Sequence, residues 1–155
     1  MSRQIPYITD RAYELGGEFK DKQVLSAWPL PLSSGEQDLL ITKLGAKAWV
    51  RVLHFTEFYG PGWGEGRNKQ LSPKGQAAFL LYLQHASFQA GAEPSVFLTD
   101  NGELELVWED ASQHSIQLTF GSQGIDLFHD RGEAAIERHV THREAPALAQ
   151  QLSGM

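Results

Sequence analysis

The spacing of apolar residues divides the second half of this chain into one helical stretch and one strand-forming stretch. From Ser72 onward they recur with helical spacing: Phe79, Leu83 and Ala86 fall on one stripe with Tyr82, and Leu80 lies beside it. Ser72 suits an N-cap, and Pro73 suits the first helical position because its missing N–H has no partner there in any case. The pattern predicts a helix running to about Ala90, with Gly91 as its stop. After Pro94 the period becomes two. Val96 and Leu98 share a face, as do Leu104, Leu106 and Trp108, then Ile116, Leu118 and Phe120, then Ile125 and Leu127. The intervening TDNG, EDASQH and GSQG are turn sequences. Runs so short, joined so tightly, predict an antiparallel meander with one apolar face, which the preceding helix would cover.

The rest of the chain is patterned less sharply. SSGEQDLLITKLG reads as a helix capped by Ser33 or Ser34 and stopped by Gly45. AKAWVRVLHF, rich in β-branched and aromatic residues, suggests a strand. TDRAYELGGEF suggests a short helix capped by Thr9 and ended by Gly16 and Gly17, and the prolines around Trp28 favour extended chain. AAIERHVTH fits a strand and a helix equally, and EAPALAQQL a short terminal helix. The expected fold class is α+β: a β-meander packed against a helix, with an N-terminal α/β half of open topology. The whole 1–155 reads as one domain, divided into 1–58, a glycine-rich loop at 59–71, the helix and meander at 72–130, and a C-terminal segment at 131–155.

Composition narrows the chemistry. The 155 residues are 41% hydrophobic and 21% charged, ordinary for a globular chain with a core. Cysteine is absent, which excludes disulfides, zinc–thiolate sites and thiol nucleophiles. The start lacks the apolar run of a signal peptide, and AAFLLYL is too short to cross a bilayer, so a cytoplasmic protein without membrane contact is expected.

Charge is distributed unevenly. The net charge is −6, yet residues 1–74 carry ten Lys/Arg against eight Asp/Glu. Residues 75–130 hold no Lys or Arg beside eight carboxylates: Glu93, Asp100, Glu103, Glu105, Glu109, Asp110, Asp126 and Asp130. Such a segment repels phosphate backbones and attracts basic partners. A basic protein is therefore the expected partner, and nucleic acid is not.

The stretch PGWGEG…LSPKGQAAFLLYL…PSVFLTDNGELELVWED…SIQLTF…GIDLF resembles a broad group of small bacterial proteins of unknown function. In that group a Trp-Gly loop precedes a Ser-Pro-capped helix and a P-x-V-x-x-T-x-x-G-x-[IL]-x-L-x-W hairpin. The matching positions are Trp63 and Gly64, Ser72 and Pro73, then Pro94, Val96, Thr99, Gly102, Leu104, Leu106 and Trp108. The resemblance covers about residues 60–129. Members more usually carry an acidic residue directly after the loop Trp, where this chain has Gly64, with Glu65 next. It implies a bacterial, often mobile-element, origin and carries no established activity or catalytic residue.

Catalytic and cofactor motifs fail one by one. The loop YGPGWGEGRNKQ offers neither G-x-x-x-x-G-K-[ST] nor G-x-G-x-x-G in any register. What remains there is Arg67, Lys69 and the free N–H groups of the Ser72 helix, a weak anion site. His129, His139 and His142 lie close in sequence without a HExxH motif, so no metal is expected. No G-x-S-x-G elbow is present. Glu103 and Glu105 share a strand face about 6.6 Å apart, a spacing open to carboxylate catalysis but also normal for a solvated strand. No cofactor is expected.

The sequence thus favours a non-enzymatic protein-binding module, such as an antitoxin, immunity protein or inhibitor, working through an acidic sheet face. Its expected contact residues are Trp63, Glu103, Glu105, Glu109 and Asp110. The alternative is a small enzyme or anion-binding protein built on the glycine loop, Arg67, Lys69 and the histidines.

Overall fold

The structure, a computed structural model, describes residues 32–59, 62–64, 66 and 68–155. The helix expected from Thr9, the extended segment around Trp28, and Arg67 of the anion site lie outside the described residues. Helix α1 spans Ser34–Leu44, α2 Ala46–Phe58 and α3 Pro73–His85. Strands β1 (Ser95–Leu98), β2 (Leu104–Glu109), β3 (Ser115–Gly121), β4 (Gly124–His129) and β5 (Ile136–Val140) follow. A 3-10 turn, His142–Glu144, leads into α4, Ala145–Gln151. The strands form one antiparallel sheet in chain order, an α+β fold with the meander that the alternation predicts.

The inner sheet face carries Val96, Leu104, Leu106, Trp108, Ile116, Leu118, Phe120, Ile125 and Leu127, all buried. Helix α3 lies on it: the rings of Phe79 and Tyr82 meet Phe120 edge-on at 5.4 and 5.6 Å. Each such fully buried side chain contributes on the order of 1.5–3 kcal/mol relative to exposure. Helix α4 packs against α3, α1 against α2 and α3, and α2 beside β1 at one edge of the sheet. One apolar cluster runs from Leu40 to Leu152.

Local signals set several boundaries. Ser33 caps α1 in a reciprocal capping box with Glu36, and Gly45 at φ 97° ends it. Ser72 accepts from the Gly75 N–H at 3.1 Å, and Pro73 follows as N1. The segment left open between strand and helix is strand β5.

Two expectations are corrected. AKAWVRVLHF is helix α2, not a strand. Its buried residues, Ala48, Val52 and Phe55, are spaced four and three apart, so one helical stripe meets the core. That tertiary burial overrides the β preference of its valines, and Val50 is simply left exposed. Helix α3 stops at His85 rather than near Ala90. Distant groups take the backbone beyond it: Lys43 Nζ donates to the Ala86 carbonyl at 2.6 Å, and the Gly154 N–H to the Ser87 carbonyl at 3.0 Å. The extended chain then drops Phe88 edge-on against Trp108, 5.0 Å between ring centres.

The glycine loop is tied to the β1–β2 turn. Lys69 N–H donates to the Asp100 carbonyl at 3.0 Å and Ser72 N–H to the Gly102 carbonyl at 2.8 Å. Gly102 sits at φ 78°, and a Cβ on it would lie 1.9 Å from the Gln70 carbonyl oxygen. Only glycine fits between these two segments.

Candidate functional site: the outer face of the sheet

The helices described above leave the second face of the sheet without a helical cover. Period two puts Phe97, Glu105, Thr119, Asp126 and His139 in one cross-strand row, and Ser95, Val107, Gln117, Phe128 and Glu137 in the next. Phe97 and Asp126 are exposed, and Val107 and Phe128 half-buried. At the β4–β5 side the face holds a groove of about 410 Å³, lined among others by Gln117, Thr119, Asp126, Phe128, Glu137 and His139. Arg51 of α2 crosses the Phe97 ring at the β1 edge, 5.4 Å from its centre.

Two pairs of polar side chains on this face bond to each other. Gln117 Nε2 donates to Glu105 Oε2 at 2.9 Å. Partial burial pushes the Glu105 carboxyl above the usual carboxylate range, the charge of Glu103 adds to this, and the Thr119 hydroxyl partly offsets it. His139 Nδ1 meets Asp126 Oδ1 at 2.6 Å, and this bond raises the imidazole above its ordinary value. Both partners remain more than half exposed.

The expected contact residues share this face only in part. Glu105 lies on it. Glu103 stands at the β1–β2 turn, where Thr99 Oγ1 donates to its Oε1 at 3.1 Å. Glu109 also falls on this face, exposed at the opposite end of β2 across from Ser115. Asp110 is committed to structure: Oδ1 accepts the Ser112 and His114 N–H groups at 2.9 Å, and Oδ2 meets buried His129 Nε2 at 2.9 Å. The His114 N–H and its companions hold the Asp110 carboxyl below the usual range. Trp63 stacks on Tyr59 at 4.6 Å, and its Nε1 donates to the Lys69 carbonyl. It is half-buried and does not line the groove. The carboxylates of residues 75–130 are likewise dispersed, since Asp100 faces Asn68 and Asp130 closes its own turn with Gly132.

Phe97, Phe128 and Glu137, which the sequence pattern did not single out, complete the face together with His139, there weighed only as a metal or ligand candidate. Extending the alternation through IDLFH and IERHV brings them out, but the second segment could be read either way until its pairing with β4 was known. The histidines are separated: His129 binds Asp110, His139 binds Asp126, and His142 Nε2 meets the Gly121 carbonyl at 2.7 Å. Among the described residues no group of His, Asp or Glu has metal-binding geometry. No helix among them is long and apolar enough to cross a membrane. Compared with protein-family models, with curated proteins and with solved structures, the chain matches none.

Proposed function

We propose that this chain is a non-enzymatic protein-binding module of the antitoxin, immunity or inhibitor kind, whose outer sheet face docks a basic protein. The observation that carries this reading is the composition of that face. Glu105 stands opposite Phe97 at the β1 side, and Asp126, Phe128 and Glu137 line the groove at the β4–β5 side, while the described helices occupy the other face. Aromatic plates flanked by carboxylates suit arginine, whose guanidinium stacks on a ring while its N–H fork reaches an acid.

The test uses the full chain and a variant with Glu105→Gln, Asp126→Asn and Glu137→Gln combined. The wild type should retain a basic protein of the native host, with affinity falling as salt rises. The variant should retain it at least tenfold more weakly. Equal retention by both proteins, or indifference to salt, overturns the reading.

A further inference from the structure

The edges of the sheet differ in what they offer a partner. Antiparallel neighbours exchange both backbone hydrogen bonds at alternate residue pairs only. The Asp130 N–H donates to the Ser115 carbonyl at 2.9 Å, which sets the phase between β3 and β4. By alternation Gln117 with Phe128 and Thr119 with Asp126 are the bonded pairs there. Ile125, Leu127 and His129 therefore bond to β5, through Val140, Arg138 and Ile136. The backbone N–H and C=O groups of Glu137 and His139 consequently point away from the sheet.

At the opposite edge the same phase holds, because the Thr99 N–H donates to the Glu103 carbonyl and so aims Val96 outward. There the edge is blunted: Arg51 of α2 donates to the Val96 carbonyl at 3.1 Å. Nothing comparable guards β5 among the described residues. Glu137, Arg138 and His139 are all exposed, and the Arg138 side chain, on the other face, is engaged by Gln151 Oε1 at 2.8 Å.

We infer that the β5 edge is a strand-addition site, and that a basic, extended segment of the partner pairs with Glu137 and His139 as a sixth strand. This rests on the reading of the outer face as a docking surface for a basic protein, and specifies how that partner is held. Residues of the incoming strand opposite Glu137 and His139 would project onto the outer face. A basic side chain there meets Glu137 directly, with Asp126 and the Phe128 ring in the next strand. The residue between them would lie opposite Arg138, and those on either side would lie beside Ile136 and Val140, where an apolar side chain fits. The recognised chemistry is thus an alternation of basic and apolar residues, with main-chain bonds supplying affinity and the carboxylates setting selectivity.

The experiment uses the full chain and a ten-residue peptide alternating arginine with valine, read by amide hydrogen exchange. In the free protein the Ile136, Arg138 and Val140 amides should exchange slowly, and those of Glu137 and His139 rapidly. Saturating peptide should slow Glu137 and His139 at least tenfold, and a backbone N-methylated peptide of the same sequence should not. Salt-sensitive binding that leaves these two amides unchanged overturns strand addition while the docking face stands. Absence of binding overturns both. Concentration-dependent protection without peptide would show that a second copy of the chain occupies the edge, and would also overturn the inference.

Discussion

Asp110 and His129 join the β2–β3 turn to the end of β4, with Oδ2 and Nε2 2.9 Å apart and the imidazole only 6% exposed. The same carboxylate accepts the Ser112 and His114 N–H groups, so one side chain shapes the turn and satisfies a buried ring. Replacing Asp110 by Ala strands all of these donors. The expected loss is about 1.5–3 kcal/mol, the range for hydrogen bonds to a charged group, read from urea denaturation at neutral pH.

The same contact makes stability pH-dependent. Asp110 has a folded-state pKa below its unfolded value of about 3.9, so its contribution is complete above that value and disappears as pH falls through the folded pKa. Urea midpoints measured from pH 6 down to pH 3 should therefore fall, and fall less steeply in Asp110→Asn. Parallel curves for the two proteins would remove this role.

Gly102 and Gly91 separate backbone strain from steric exclusion. Both have positive φ, 78° and 85°, but a Cβ on Gly91 would meet nothing within 4 Å. Gly91→Ala should cost about 1–2 kcal/mol, the left-handed penalty alone. Gly102→Ala must also push the Gln70 carbonyl away and unseat the glycine loop, so its loss should exceed that of Gly91→Ala by at least about 1 kcal/mol. Thermal denaturation of the pair provides the comparison.

Trp63 is anchored by stacking on Tyr59 and by its indole N–H on the Lys69 carbonyl. Trp63→Phe keeps a ring but loses the hydrogen bond, and Trp63→Ala loses both. Stability should fall in that order, with about 0.5–1.5 kcal/mol for the bond and about as much again for the ring pair. A Trp63→Ala protein as stable as wild type would show that the loop is not held by this residue.

His139 should titrate above the ordinary histidine value of about 6.5 in NMR, because Asp126 stabilises its charged form. The sign follows from the raised folded-state pKa: the interaction is complete below the unfolded value and is lost as pH rises through the folded one. Asp126→Asn should bring the titration back toward 6.5. An unchanged midpoint would mean that the pair does not form in solution.

The meander, its inward residues and the Ser33 and Ser72 caps were legible because each depends on neighbours in sequence. Turn residues, alternation and N-cap chemistry act within a few positions. The candidate site was legible only in part. Glu103 and Glu105 were found from outward alternation, whereas Asp110 was grouped with them on charge. Chain order does not say that Thr99 takes Glu103, or that the turn and His129 take Asp110.

By itself, then, the sequence determined the class of fold, the two periods of burial and the cation-free acidic stretch between residues 75 and 130. The tertiary structure decided which acids share a surface, because strand pairing brings Glu105, Asp126 and Glu137 from separate strands onto one face. It also decided the identity of α2, since a valine-rich segment becomes helical when only a helical stripe can reach the core. Finally, among the described residues it left the backbone of β5 open while Arg51 closed the other edge, a difference set by contacts between segments far apart in the chain.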